Sequence, residues 1–226
     1  MFYDTSTLDW KSGYKLLTAT VVPRPIAWVV TNNEDGSPNA APFSLFNYFS
    51  GHPPVVCLGM GTRPSGPADS LVNIRREGEF VINMVPQELA GEMNVTAIEF
   101  PPGESEIRKA GLQTLACERV QVPRIAQSPV ALECKLAEVK EIPGNTGHLV
   151  IAQVIGLHVV DDALIDAQRC YVDTAKLKLV GRMESPGWYV HTQDRFAMHT
   201  PALHEWEARS SASAVLNTNP ATETNR

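Results

Sequence analysis

The stretch LVIAQVIGLHVV at residues 149–160 constrains the fold more than any other part of the chain. Its apolar residues occupy both phases of a β-strand, so we expect both faces of that strand to be covered by protein or by a subunit contact. Residues 130–136 alternate between apolar and more varied side chains, which is typical of a half-buried strand. Further strands are predicted at 25–31, 55–60 and 80–85, where β-branched, aromatic and aliphatic residues are frequent.

Short predicted helices interrupt these strands. Asp69 or Ser70 can cap a helix that ends at Gly78, because short polar side chains suit a helix start and glycine suits its end. Pro86 suits the first position of a second helix. A third helical piece is predicted around residues 106–110, immediately before a glycine.

The order of these elements predicts a mainly β fold with short helices. The turn formers NNEDGSP at 32–38 indicate a hairpin whose return strand covers 39–42. An antiparallel barrel is the simplest arrangement, because closing a sheet removes its exposed edges. We predict one domain over residues 1–208 and a flexible C-terminal tail over 209–226, where small and polar residues dominate.

Charge and composition exclude several classes of function. The 19 Lys and Arg residues against 25 Asp and Glu give a net charge of -6, which argues against non-specific nucleic-acid binding. No apolar run approaches the roughly 18 residues of a membrane span, and no secretory leader is visible, so we expect a cytoplasmic protein with no membrane partner. The four cysteines are far apart, and the six histidines form no compact ligand motif, so we predict no metal site.

The segment FSLFNYFS at 43–50 places aromatic side chains among Ser44, Asn47 and Ser50. Apolar side chains could exclude water from a flat ligand while the polar ones meet its heteroatoms, which would make this segment a pocket wall. The alternative is that its phenylalanines simply fill a core. The loop that follows carries Arg63 and Ser70 near a predicted helix N-terminus, which favours a phosphate.

Seven ordered blocks of the chain resemble the flavin reductase-like proteins of the FMN-binding split barrel, which include flavoredoxin and the reductase components of two-component monooxygenases. The blocks span about residues 14–200, and they are VVPRPIAWVVT, DGSPNAAPFSLFN, HPPVV, DSLVNIRREGEFVIN, SPVALECKLAEV, GHLVIAQVIGLHVVDD and LVGRM. The resemblance implies an antiparallel, Greek-key-like split β-barrel that forms a homodimer, with FMN in a groove at the dimer interface.

The resemblance also implies a set of cofactor-binding residues, some beside the isoalloxazine ring and some beside the phosphate. They are Arg24, Pro25, Ile26, Ala27, Ser44, Leu45, Phe46, Asn47, Ser50, Gly61, Arg63, Asp69 and Ser70. His148 could border the flavin or the nicotinamide, or it could be a strand-end histidine bonded to backbone. Two departures are visible: Ala68 stands where relatives usually have lysine, so that Arg63 or the second subunit would have to bind the phosphate, and GRMESPGWY lacks the usual glycine pair.

The function implied is an NAD(P)H-dependent flavin oxidoreductase that transfers hydride from nicotinamide C4 to flavin N5. Such a reaction needs no catalytic acid or nucleophile from the protein. The reduced flavin would serve a flavin-dependent monooxygenase or another electron acceptor. One alternative is an electron carrier of the flavoredoxin type that does not use NAD(P)H directly, and another is a non-catalytic module for a planar ligand such as haem.

Overall fold

The computed structural model describes residues 1–63, 66–101, 104–144 and 147–207. The chain forms two compact units, Met1–Gln193 and Asp194–Arg226. In the second unit, residues 203–207 are helical. The predicted flexible tail at 209–226 lies outside the described residues.

In its described residues, the first unit contains four short helices, one seven-stranded sheet and four two-stranded ribbons. The helices are α1 (Trp10–Thr20), α2 (Asp69–Glu77), α3 (Ala90–Val95) and α4 (Glu106–Lys109), with 3-10 turns at Gln87–Leu89 and Asp161–Ala163. The main sheet contains β1 (Ala27–Asn32), β2 (Pro38–Phe43), β3 (Phe46–Gly51), β4 (Pro54–Met60), β7 (Glu79–Met84), β10 (Val130–Glu141) and β11 (His148–Val159). The ribbons are β5 (Thr62–Arg63) with β6 (Gly66–Pro67), β8 (Thr114–Leu115) with β9 (Arg124–Ile125), β12 (Leu164–Asp166) with β13 (Tyr171–Val172), and β14 (Val180–Arg182) with β15 (Tyr189–His191).

The main sheet has the strand order β2-β1-β7-β10-β11-β4-β3, and every neighbouring pair is antiparallel. This confirms the predicted mainly β, antiparallel fold. The two outermost strands, β2 and β3, are consecutive in the chain and are separated by Ser44 and Leu45 alone. The sheet therefore curves so that its two edge strands come close at this link, although β2 and β3 are not paired with each other in the described residues.

Strand β1 explains why the sheet has two apolar cores. Trp28 and Val30 join one cluster of buried residues, and the alternate residues Ala27 and Val29 join the other. Successive side chains of a strand point to opposite faces of the sheet, so a strand between two apolar cores must carry apolar residues at every position. Residues 27–30 of β1 meet this requirement. Helix α2 covers the second cluster with Leu71 and other residues.

The two-faced apolar strand at 149–160 lies in the sheet as β11, between β10 and β4. Val150 and Ala152 are fully buried in the second cluster, whereas Leu157 towards the other end is 60% exposed. Within this protomer only the face that carries Val150 and Ala152 is fully buried, because Leu149 and Ile151 on the other face are half-buried and Gln153 is exposed. The prediction that both faces are covered is therefore wrong for the single protomer. The sequence analysis offered a subunit contact as the alternative way to cover this strand, and the exposed Leu157 is a residue that such a contact could cover.

The predicted helix ends were right in one case and wrong in another. Gly78 ends α2 in the left-handed conformation (φ 70°), as expected of a residue without Cβ. The N-cap, however, is Ala68, which makes no side-chain capping bond, and Asp69 is the first helical residue. Pro86 precedes a 3-10 turn rather than starting an α-helix, because Leu89 N–H bonds back to the Pro86 carbonyl.

Helix α1 was not predicted from the sequence. Asp9 caps it by accepting hydrogen bonds from the amides of Lys11 and Ser12. Trp10 and Leu17 on this helix are 74% and 62% exposed, so its apolar residues do not mark a single buried stripe. Within the described ranges, no helix has the length and apolarity that crossing a membrane would require.

Candidate functional site

The link between β2 and β3 lies against β4. Gly59 donates its backbone N–H to the Leu45 carbonyl at 2.7 Å. A Cβ at position 59 would be 3.0 Å from Leu45 Cβ, closer than side chains normally pack. Glycine at this position therefore allows the link to approach the sheet.

A cavity of about 360 Å³ opens beside this link, and we call it the junction cavity. It is lined by Val21, Pro23, Arg24, Pro25, Ser44, Leu45, Phe46, Asn47, Phe49, Cys57, Gly59 and Leu149. Six of these residues were predicted to bind a cofactor, although they come from two separate segments. The antiparallel pairing of β1 with β2 brings the segments together, because Ala27 at the start of β1 lies opposite Phe43 at the end of β2.

The wall of the junction cavity is largely apolar, with a few polar groups. Phe49 is 67% exposed at its rim. Asn47 accepts the Tyr48 amide through its side-chain oxygen at 2.9 Å. Across the described part of the chain, neither the Asn47 side-chain nitrogen nor the Ser44 hydroxyl has a hydrogen-bond partner. Both groups are therefore free to meet the heteroatoms of a ligand.

Arg24 fixes the floor of this region. Its Nη1 donates to the carbonyls of Thr18 and Val21 at 2.7 Å each, and its Nη2 donates to the Met183 carbonyl at 2.6 Å. Its backbone also pairs with that of Arg182. Its Nε is buried without a partner, although a buried N–H normally has one. The arginine therefore ties the end of α1 to the 182–183 segment and keeps one donor unused beside the cavity.

A second cavity, of about 630 Å³, shares Ser44 with the first, and we call it the α3 cavity. Its wall includes Ile26, residues of α3 such as Asn94, and both Arg182 and Tyr189. The Arg182 guanidinium lies 4.7 Å from the centre of the Tyr189 ring and donates to the Pro186 carbonyl at 2.9 Å. A stacked, charged wall of this kind suits an aromatic or anionic group.

Two of the predicted phosphate residues lie elsewhere. Ser70 is 1% exposed, and its hydroxyl accepts a 3.1 Å hydrogen bond from the Asn39 side chain. Asp69 lines a separate cleft of about 420 Å³ together with four other carboxylates. Those carboxylates belong to Glu34, Asp35, Glu104 and Glu106. A cleft with this charge repels a phosphate, and neither Asp69 nor Ser70 lines the two cavities that share Ser44.

The remaining predicted residues are spread around the barrel. Ala27 is fully buried in the core, and Ser50 is half-buried, with its hydroxyl accepting the His52 amide. Gly61 is exposed after β4. Arg63 ends β5, and its side chain lies outside the described residues. His148 begins β11 opposite Met60, and its Nδ1 is buried without a partner.

Sequence reasoning missed several residues that line the two cavities. Cys57 and Leu149 belong to strands that looked like ordinary core, and burial raises the pKa of the Cys57 thiol. Arg182 and Tyr189 lie in GRMESPGWY, the segment singled out for its departure from the usual pattern. Tyr14 and Asn94 had no signal, because only the folded chain places α1 and α3 beside the link.

The arrangement fits a flat, partly polar molecule. The junction cavity has a volume within the usual range for small-molecule sites, and it combines aromatic walls with unbonded hydroxyl and amide groups. The adjoining α3 cavity could take a second group next to the first. No side chain of the set supplies an obvious nucleophile, because burial keeps the Cys57 thiol protonated at neutral pH.

Comparison with known proteins identifies the family. The family model described as "Flavin reductase like domain" matches residues 19–175. An uncharacterized protein of Deinococcus radiodurans is 43% identical over 210 residues, covering 91% of this chain and 92% of that protein.

Two solved structures share the fold along nearly their whole length. Nitrilotriacetate monooxygenase component B from Bacillus cereus is 27% identical, with a TM-score of 0.82, and the match covers 88% of this chain and 98% of that one. The Pseudomonas fluorescens 2-nitrobenzoate 2-nitroreductase NbaA is 30% identical, with a TM-score of 0.81, covering 90% and 98%. The chain therefore belongs to the flavin reductase-like family and has its split-barrel fold.

Proposed function

We propose that this protein is an NAD(P)H-dependent flavin oxidoreductase that binds FMN in the junction cavity. One observation carries the proposal. The two segments that the family resemblance assigns to the isoalloxazine, one containing Arg24 and the other containing Ser44 and Asn47, line the same apolar-walled cavity.

The residues of this cavity have separate roles in the proposal. Phe46, Phe49 and Leu149 exclude water from the faces of the ring system. The Ser44 hydroxyl and the Asn47 amide are the proposed donors for its heteroatoms. FMN held by these residues would supply the hydride acceptor at flavin N5, and the nicotinamide would supply the hydride from its C4. The protein then has to bind and orient two ring systems rather than provide an acid or a base.

The α3 cavity is the proposed place for the nicotinamide co-substrate. It joins the junction cavity at Ser44, so that molecules held in the two cavities would be neighbours. Arg182, stacked on Tyr189, offers a positive charge for the phosphates of NADH or NADPH. His148 remains a proposed neighbour of the same reaction centre on the strength of the resemblance.

The FMN phosphate is assigned to Arg63 or to a residue of a second subunit. The positions of Ser70 and Asp69 support this assignment. The Ser70 hydroxyl is buried and bonded to Asn39, and Asp69 lies in an acidic cleft that would repel a phosphate. Ala68 cannot supply the positive charge of the lysine that relatives usually have there. An Arg63→Ala variant that bound FMN with unchanged affinity would transfer the role to the second subunit.

A homodimer is part of the proposal. Val21, Leu45 and Phe49 are 58%, 54% and 67% exposed, and all three line the junction cavity. A second copy over this rim would remove their apolar surface from water and close the cavity. Sedimentation equilibrium should give twice the monomer mass, and a monomer with full flavin affinity would contradict this part.

A second candidate function is reduction of a small aromatic acceptor in the α3 cavity. It is favoured by the size of that cavity, about 630 Å³, and by the likeness to a protein described as a 2-nitrobenzoate 2-nitroreductase. In that case the acceptor would bind beside the reduced flavin. In the leading proposal, the reduced flavin would instead pass to a monooxygenase or another electron acceptor.

An anaerobic absorbance experiment tests the leading proposal. The FMN-loaded protein is mixed with NADH or NADPH, and bleaching of the flavin band is followed with time. Bleaching that is much slower in Asn47→Ala supports the proposal. Absence of bleaching with both nucleotides, while the protein still binds FMN, would favour an electron carrier. Absence of any FMN binding would favour a module for another planar ligand such as haem.

A further inference from the structure

Glu133 is a buried carboxylate outside the two cavities. It lies on β10 and is 1% exposed. Its Oε1 accepts the amide of Glu118 at 3.0 Å, and its Oε2 accepts the amides of Arg119 and Val120 at 2.6 Å and 3.1 Å. Three backbone donors thus hold the carboxylate in one orientation and tie the segment 118–120 to the sheet.

The neighbouring strand leaves room for this carboxylate. Gly156 on β11 is opposite Glu133 in the strand register. A Cβ at position 156 would be 3.1 Å from the carboxyl carbon and 3.2 Å from Oε1. Glycine therefore opens a space that any other residue would fill.

Two further metal-ligating side chains border that space. The Nε2 of His158, two residues beyond Gly156 on β11, lies 2.6 Å from Glu133 Oε1. The thiol of Cys117 comes from the residue immediately before the segment that Glu133 holds. The Sγ of Cys117, a carboxylate oxygen of Glu133 and a ring nitrogen of His158 all lie within 4.8 Å of one another.

We propose that Cys117, Glu133 and His158 form a zinc site. Sulfur, nitrogen and oxygen ligands in one small cluster are a typical donor set for Zn²⁺. With bonds of about 2.0 to 2.3 Å, tetrahedral ligand atoms lie roughly 3.3 to 3.8 Å apart. Glu133 Oε1 and His158 Nε2, which are 2.6 Å apart, would therefore have to separate to admit the ion, and the Cys117 thiol would have to lie within the same range of both. The His158 side chain is 24% exposed, which leaves the fourth position to water.

The lone pairs and protons of the cluster are consistent with this assignment. One lone pair of Glu133 Oε1 continues to accept the Glu118 amide proton. The second lone pair of that oxygen, which now faces His158 Nε2, would bind the cation in place of the imidazole proton. The ring then carries its proton on Nδ1. The Cys117 thiol gives up its proton to solvent on binding, as a metal-bound cysteine does.

Burial and nearby charges determine the protonation of the Cys117 thiol in the metal-free protein. Burial, and then the negative charge of Glu133, raise the pKa of Cys117 to about 11 against the opposing effect of Arg124. The thiol is therefore protonated and inert at neutral pH in the absence of a cation. The site would pin the segment after Cys117 to the β10–β11 pair.

Cobalt titration of the full-length protein tests the site, because Co²⁺ replaces Zn²⁺ and reports thiolate ligation by a charge-transfer band. The chelator-treated protein is kept reduced with a phosphine. We expect one Co²⁺ per chain with a thiolate band that added Zn²⁺ abolishes. Cys117→Ser should lose the band, and Cys170→Ser, which changes an exposed cysteine, should keep it.

A second variant, His158→Gln, tests the site independently in case the Cys117→Ser protein does not fold. His158→Gln should lower the apparent affinity for cobalt by at least about 10-fold, since loss of a mere outer-shell partner already costs that much. A wild-type titration without a thiolate band, or a band that persists in Cys117→Ser, would overturn the proposal. Glu133 and His158 would then be a structural hydrogen-bonded pair. All readouts are independent of flavin binding.

Discussion

The side-chain amide of Asn39 donates a 3.1 Å hydrogen bond to the hydroxyl of Ser70 in the interior of the protein. Asn39 and Ser70 are 4% and 1% exposed, and Asn39 also lies 3.4 Å from the Thr31 hydroxyl. This relationship connects the start of α2 to β2 and β1. It also occupies a hydroxyl that the family resemblance assigns to phosphate binding.

Ser70→Ala should therefore affect stability rather than flavin binding. Removing the acceptor leaves Asn39 with a poorer partner, and we expect the free energy of unfolding in urea to fall by about 1 kcal/mol. The dissociation constant for FMN, measured by quenching of flavin fluorescence, should stay within about twofold of the wild-type value. Ser44→Ala is the matched control that should weaken FMN binding. A loss of affinity in Ser70→Ala at unchanged stability would mean that Ser70 contacts the phosphate.

The two aromatic neighbours on β3 should differ in their effect on flavin binding. Phe49 lines the junction cavity, whereas Tyr48 does not line it and is 74% exposed. Phe49→Ala removes an apolar wall and should weaken FMN binding about 10-fold, which corresponds to about 1.4 kcal/mol. Tyr48→Ala should leave the affinity unchanged. Because Phe49 also lies on the proposed dimer rim, the affinities are compared at protein concentrations at which sedimentation shows both variants in the wild-type oligomeric state. Equal losses of affinity would contradict the assigned cavity wall.

Arg24→Lys should destabilise the protein although it preserves the charge. A single ammonium group cannot reproduce the planar fork that reaches Thr18, Val21 and Met183 together. We expect a loss of about 1.5 to 3 kcal/mol in urea unfolding, the range for a hydrogen bond to a charged group. Arg76→Lys, at a partly exposed position on α2, is the control. A fully stable Arg24→Lys protein would show that α1 does not depend on this contact.

Cys57 should be a slow thiol that flavin protects further. Burial raises its pKa above the ordinary 9.0, so its thiolate fraction at neutral pH is lower than that of an unperturbed cysteine. Iodoacetamide at neutral pH should therefore modify exposed Cys170 well before Cys57, as peptide mass mapping would show. Raising the pH should speed the Cys57 reaction, and added FMN should slow it without affecting Cys170. Equal protection of both thiols would exclude a local effect of the ligand.

Local patterns predicted much of the sheet. The alternation at 130–136 and the apolar run at 149–160 became β10 and β11. Their faces were predicted less well, because Ala131 and Glu133 on the more varied phase of β10 are buried, whereas Leu149 and Ile151 of β11 are only half-buried. Gly78 was recognised as a helix end because left-handed backbone favours glycine. Helix α1 was missed because its apolar residues are largely exposed in this protomer.

The candidate site was predictable only where a segment had its own signal. Ser44 and Asn47 stood out as polar groups among aromatic ones, and they do line a cavity. Arg182 and Tyr189 reach the neighbouring cavity through a ribbon whose position depends on backbone pairing between Arg24 and Arg182. No spacing in the sequence encodes such a contact.

By itself, the sequence determined six of the seven strands of the main sheet and the family, because periodicity and local chemistry act over a few residues. It did not determine β3, which was interpreted only as a pocket wall. Only the tertiary structure decided that β2 and β3 meet at the Ser44–Leu45 link to form a cavity, and that Ser70 turns inward to Asn39. It likewise brought Cys117, Glu133 and His158 into one cluster. Those arrangements depend on contacts between residues far apart in the chain, and such contacts become favourable only after the whole sheet has closed.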